Sequence, residues 1–224
     1  MIRVPTLFIT FCVGVLWSFV PLYGYFHLDF AFVISLVFSF GVGLREAGLK
    51  RTLFTRLTNT FTYRLSGYFI WLIIFSLPVV LHDVFRGIFV WDGLWFWCAG
   101  PIPSVFLSAV FGRYLSLKSF KRPRLLAFTM LFFLAAGGWL VIFFSVPQLF
   151  YYNHIWGYWP GPLYDTTVRF PLSYLWFRFI TLLVGIGFLV LSQTRVPRLR
   201  SPKPAIVLLF LAVLVPFLSN GQFI

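Results

Sequence analysis

Long apolar runs separated by short polar connectors set the pattern of this chain. Seven such runs are readable: Thr6 to Phe26, Leu28 to Leu44, Leu65 to Phe85, Leu94 to Leu115, Leu125 to Pro147, Pro171 to Ser192 and Pro204 to Ile224. Each approaches the ~20 residues that a helix rising 1.5 Å per residue needs to cross ~30 Å of hydrocarbon. The pattern therefore predicts an all-α, polytopic transmembrane helix bundle of about seven spans, forming a single domain. Prolines at 147, 171, 197, 202 and 204 mark loop edges, because proline lacks the N–H that a helix interior requires. Pro78, Pro101, Pro103 and Pro216 fall inside or near the runs and are expected to kink or break them.

Between Arg45 and Arg64 the pattern changes. Leu49, Leu53, Leu57 and Phe61 recur every fourth residue while Lys50, Arg51 and Arg56 point elsewhere, which predicts an interfacial amphipathic helix. A solvated basic loop is the alternative reading of the same segment.

Composition agrees with lipid as the main solvent: the chain is 60% hydrophobic and 10% charged, with a mean hydropathy of +0.93. A soluble domain carries about 25% charged residues. The net charge of +13 changes the picture only through its distribution. All but Arg86, Arg169 and Arg178 of the 18 Lys and Arg residues fall on one side of the predicted spans. Basic loops stay cytoplasmic, so the N-terminus is expected inside and the C-terminus outside, with anionic lipids against the cytoplasmic face. Cations tied to short loops in this way do not indicate nucleic acid. The first run has no small-x-small cleavage site and reads as a retained helix. Cys12 and Cys98 fall at different depths and are expected to stay unpaired. Small residues at Ala135, Ala136, Gly137, Gly138, Gly185 and Gly187 permit close helix approach, and no internal repeat is apparent.

The polar chemistry gathers on the predicted outer side. His27 and Asp29 follow the first span, His82, Asp83 and Asp92 flank the third, and His154 and Asp165 lie in the fifth loop. Converging, they would suit a metal or proton-exchange site, because imidazole and carboxylate bind divalent metals and histidine titrates near neutrality. Their spacing matches no metal signature, and polar residues also collect simply where helices leave the membrane. Arg178 lies about 10 Å inside its predicted helix at 1.5 Å per residue, a costly depth for a charge. It calls for Asp165, Asp29, Asp83 or Asp92 as partner, a water path, or snorkelling to the headgroups.

Trp and Tyr crowd the outer boundary at Trp91, Trp95, Trp97, Tyr151, Tyr152, Trp156, Tyr158 and Trp159. The longest outer loop, Gln148 to Phe170, holds Pro160-Gly161-Pro162, a tight-turn sequence between aromatic rings. Trp156, Tyr158 and Trp159 are accordingly expected on the membrane surface or in a partner's groove. The stretch from Asn153 to Asp165, followed by the Arg178 helix, resembles the N-terminal multi-spanning membrane region of bacterial inner-membrane proteins that carry an extracytoplasmic metallopeptidase-like domain. The likeness covers only that stretch and implies an anchoring role, since the sequence contains no His-Glu-x-x-His.

Several functions are excluded. Glu46 is the only glutamate, so a paired-glutamate mechanism is impossible. No Gly-rich phosphate loop or Gly-x-Ser-x-Gly elbow is present, and no lysine past Lys203 is available for a Schiff base in the last run. The sequence favours an inner-membrane subunit or anchor that engages a partner protein, or a second copy, through its helices and outer aromatic loop. A transporter component using Arg178 and the outer aspartates is one alternative. A membrane-embedded enzyme with a His/Asp site at the outer surface is the other.

Overall fold

A computed structural model of the chain describes residues 4–21, 23–49, 58–118, 120–137, 151–159 and 170–193, without the side chains at 58–60, 151, 159 and 193. The described chain is almost entirely helical. Its elements are α1 (Val4–Trp17), α2 (Leu28–Ala47), α3 (Thr58–Arg86), α4 (Trp91–Ala99), α5 (Pro101–Leu117) and α6 (Pro123–Phe132), the last continued by a π-turn (Phe133–Gly137). A two-stranded hairpin, β1 (Tyr151–Asn153) and β2 (Gly157–Trp159), precedes α7 (Leu172–Gln193).

Among the described residues, four stretches are long and apolar enough to cross a membrane: Leu28–Ala47, Phe61–Arg86, Trp91–Leu117 and Leu172–Ser192. This is the signature of an integral membrane protein. Large apolar side chains point outward on these helices, among them Ile73, Phe85, Trp176, Phe179 and Val190, as a lipid-facing surface requires.

The expected seven spans are thus reduced to four within the described residues. The first run is broken: α1 stops at Trp17, and the chain turns through Ser18 to Gly24, with Gly24 N–H donating to Val20 O and Ser18 Oγ capping Val15 O. A helix of 14 residues covers only about 21 Å. Pro21 cannot continue the helix, and Gly24 sits where any Cβ would meet the Ser18 carbonyl oxygen at 2.5 Å. The fifth run is described only to Gly137, and the run from 204 to 224 lies outside the described residues. Of the expected amphipathic segment, Arg45 and Glu46 end α2 and Phe61 and Arg64 belong to α3, while residues 50–57, with Leu53 and Leu57, lie outside the described residues.

α5 is the central helix, packed along α2 and α7, with α1 on α3 and α6 on α2. Nearly all its residues are buried. Its approach to α2 is set by small residues every fourth position: Ala31, Ser35, Ser39, Gly43 and Ala47 on α2, and Gly100, Ser104, Ser108, Gly112 and Ser116 on or just before α5. Four-residue spacing puts each set on one helix face, and small side chains let the backbones nearly touch. A Cβ on Gly112 would lie 2.3 Å from Gly43 O and 3.1 Å from the Glu46 Cβ. Gly112→Ala is therefore expected to push the helices apart and cost about 1–3 kcal/mol, read as a lower unfolding midpoint in mixed micelles. Gly41→Ala, whose added methyl meets nothing within 4 Å, serves as the neutral control.

Candidate functional site

The expected break in the fourth run falls at Gly100, between α4 and α5, and the polar centre of the molecule is built on it. Pro101 and Pro103 supply no N–H, so Trp97 O and Ala99 O lose the partners they would have in a continuous helix. α7 brings Arg178 against this gap, where it is 2% exposed. Its Nε donates to Ala99 O at 2.5 Å, and its Nη2 donates to Gly100 O and Ser104 Oγ. Its Nη1 donates to Asn153 O at 3.0 Å and His154 O at 3.2 Å, in the tip of the hairpin. These contacts match all five N–H groups that a guanidinium possesses. The cation also lies at the C-terminal, electronegative end of α4 and 5.5 Å from the Tyr174 ring centre.

The hairpin is inserted rather than laid on the surface. Residues 153–158 are all buried, Ile155 completely. Asn153 Oδ1 accepts from the Ile155 N–H at 2.7 Å, closing the turn, while its Nδ2 donates to Leu134 O at 2.8 Å. Trp156 Nε1 donates to Ala135 O at 2.9 Å. The two side chains thereby satisfy carbonyls in the π-turn of α6, whose ladder is shifted. Gly157 has φ +99°, and a Cβ there would stand 2.4 Å from Tyr174 Oη, so only glycine fits. Tyr158 stacks on Phe96 at 5.9 Å and Phe32 packs on Trp156 at 5.2 Å.

Trp156 and Tyr158, expected at a surface or partner groove, are therefore interior residues at 5% and 3% exposure. Their rings bury against α2, α4 and α7, and the turn's backbone groups are answered by Arg178 and Asn153, so irregular backbone is tolerated at this depth. The side chain of Trp159 and all of Asp165 lie outside the described residues. Of the carboxylates expected to pair with Arg178, Asp165 lies outside the described residues and no described Asp or Glu pairs with it; carbonyls and Ser104 accept its N–H groups, and its burial is not that of a snorkelling side chain.

His154 is buried, with Nδ1 2.8 Å from Thr181 Oγ1 and its ring stacked on Phe177 at 4.5 Å. His82 and Asp83 sit elsewhere, at the end of α3. Asp83 is 2% exposed; its Oδ2 accepts from the Phe26 N–H at 2.5 Å and its Oδ1 lies 3.4 Å from His82 Nδ1. Asp83 thus anchors the turn between α1 and α2, while His82 sets its ring edge-on to Phe19. His27 faces Phe96 at 5.7 Å and feels the charges of Asp29 and Asp92. Among the described residues, His154, His82 and Asp83 thus each have a polar contact within the fold. Among the described residues, no three His, Cys, Asp or Glu side chains are grouped to hold a metal. Cys12 and Cys98 are free thiols.

Burial holds the His27 imidazole below the ordinary histidine range, against the opposing pull of Asp29 and Asp92. The unfolded chain then binds the proton more readily, so the contribution of His27 is complete above about pH 6.5 and is lost as pH falls through the folded-state value. The unfolding midpoint is expected to drop on acidification from about pH 7 to about pH 5, and less steeply in His27→Gln. Parallel curves for the two proteins would refute this assignment.

A second polar centre, outside the residues expected from sequence, lies at the basic end. Glu46 is completely buried, its Oε1 accepting from Arg64 Nε at 2.8 Å and Tyr68 Oη at 2.6 Å, its Oε2 from Arg64 Nη2 at 2.9 Å. This is a bidentate guanidinium–carboxylate pair with a third donor. Arg113 of α5 lies beside it, 4.5 Å from the Phe61 ring centre. A readable signal existed: Glu46 is the only acidic residue among the basic connectors, and the four-residue spacing from Ala31 to Ala47 places it next to the α2–α5 seam.

The fold and these two centres define an integral membrane protein organised around a discontinuous central helix. Comparisons with protein-family models, curated proteins and solved structures gave no match to the chain.

Proposed function

We propose that the chain is a bacterial-type inner-membrane subunit or anchor, non-enzymatic, with its basic end in the cytoplasm and its hairpin end outside. The observation that carries this reading is the use made of Arg178: its five N–H groups are matched to the chain's own carbonyls and to Ser104, leaving none for a substrate anion. Asn153 and Asp83 likewise serve the fold. The Lys and Arg bias supports the orientation, and the resemblance of the hairpin-to-α7 stretch to membrane regions that carry an extracytoplasmic domain fits an anchoring role.

With Trp156 and Tyr158 inside, the exposed tryptophans among the described residues, open to a partner membrane protein, are Trp91 and Trp95 of α4 and Trp176 of α7, at 72%, 57% and 60% exposure. A photo-crosslinking amino acid at each of these three positions, irradiated in native membranes, is expected to give a discrete protein adduct from at least one. A lone monomer by native mass spectrometry, together with no adduct at any of the three, removes the proposal.

One observation favours a transporter component as second reading. Broken spans release backbone carbonyls at membrane depth, and α4–α5 is such a break. Here Ala99 O and Gly100 O are stoppered by Arg178, so the anchor reading expects no anion or proton flux through wild-type protein in liposomes. Wild-type flux that Arg178→Ala abolishes would reverse the order of the two readings.

A further inference from the structure

A cavity of about 620 Å³ opens on the flank of the bundle where α2, the end of α6 and the hairpin meet. Trp156 and Ala135, at 5% and 8% exposure, form its deep wall, and Val37 and Phe132, at 57% and 50%, stand at its rim. The room comes from the π-turn, where Ala135 and Ala136 present methyl groups after the five large side chains from Met130 to Leu134. Such turns inside helices recur at functional sites. The deep wall is preformed, because the bond from Trp156 Nε1 to Ala135 O and the Phe32 ring packed 5.2 Å away fix the indole. No charged or hydroxyl-bearing side chain is among the described residues that line the cavity. A wall of this kind suits hydrocarbon rather than a headgroup. Its rim runs into the lipid-facing surface, since Val37 and Phe132 point outward as Phe128 and Phe133 do, so an occupant enters sideways from the bilayer. One helical turn, about 10–12 Å wide and 5.4 Å tall, takes roughly 500 Å³. The cavity thus holds little more than one turn of a protein helix, whereas a narrower methylene chain lies along it.

We propose that this cavity, walled by Trp156 and the π-turn alanines, is a binding site for the acyl chain of a membrane lipid, whose headgroup stays outside it. The site goes beyond the anchor reading and does not depend on it, because a lipid rather than a protein fills the space. A chain packed on Trp156 ties the hairpin to the bilayer through the Nε1 bond to Ala135 O, so occupancy stabilises the folded protein.

The full chain in phosphatidylcholine nanodiscs is the material for the test, with a phosphatidylcholine carrying a diazirine in its acyl chain as the probe and adducts mapped by peptide mass spectrometry. Labelling at Val37 and Ala136 is expected to exceed, several-fold, that at Ile73 and Phe179, exposed residues of α3 and α7 outside the cavity. After transfer to neutral detergent, native mass spectra are expected to show one retained phosphatidylcholine. Ala136→Trp, which fills the cavity, should reduce that retention several-fold, while Ile73→Trp leaves it unchanged. Val37→Trp, on the exposed rim, keeps the test decisive if Ala136→Trp fails to fold. Labelling of the cavity no heavier than that of the two outside residues, or retention that both cavity variants leave unaltered, overturns the proposal. So does a photo-crosslinker at Val37 that joins a second copy, or residues 138–150 or 204–224 of its own chain, in place of lipid.

Discussion

Arg178→Met is expected to lower the unfolding free energy by about 3–5 kcal/mol, the largest effect of any single substitution at the hairpin end. Methionine fills similar volume and donates nothing, so Ala99 O, Gly100 O, Asn153 O and His154 O lose a donor inside the bundle. Ser104 Oγ softens the loss, because it still reaches Gly100 O at 2.9 Å and His154 O at 3.2 Å. Arg178→Lys offers three donors from one point rather than five in a planar fork, and is expected to recover less than half of the stability. Reversible unfolding in mixed micelles reads the energy, and hydrogen exchange at the amides of Ile155 and Trp156 reads the hairpin. Both amides, now bonded to Asn153 Oδ1, should exchange faster in the methionine variant. An unchanged midpoint would mean that the guanidinium contacts do not hold the broken helix and the hairpin together.

Glu46→Ala is expected to cost a similar amount, about 3–5 kcal/mol, for a different reason. Its removal strands the Arg64 guanidinium beside Arg113 and leaves Tyr68 Oη without its carboxylate, so two like charges face each other in a largely dry setting. The pair is judged best by a double-mutant cycle with Arg64→Ala, for which a coupling of about 1–3 kcal/mol is expected. Because Glu46 is fully buried, that coupling should change little with added salt, unlike an exposed ion pair. A coupling near zero would show that the network contributes nothing beyond its separate members.

The two centres were unequally legible. A titratable residue deep in an apolar run flags itself, so Arg178 stood out from sequence. Its partners did not, because backbone carbonyls have no letter in a sequence, and carboxylates were the acceptors a reader can see. The hairpin was hidden by composition: Asn153 and His154 resemble surface-loop residues, whereas Asn153 and Arg178 supply the hydrogen bonds that let the hairpin sit inside; Pro160-Gly161-Pro162 lies outside the described residues. Glu46 was hidden by its company, since a lone acid among basic connectors reads as solvated. Only the seam of Ala31, Ser35, Ser39, Gly43 and Ala47 could have shown which face of α2 it shares.

What the sequence determined by itself was local and additive. Hydrophobic run length placed the long helices, and the missing N–H groups of Pro101 and Pro103 placed the break at Gly100, because each depends on a residue's own chemistry and its near neighbours. What only the tertiary structure decided was which helix supplies the donors for that break, and whether the aromatic hairpin faces outward or in. Those answers depend on groups 24 to 79 positions apart meeting at hydrogen-bond distance. A buried polar group is stabilised only by the partner that reaches it, and that partner is chosen by packing in three dimensions rather than by order along the chain.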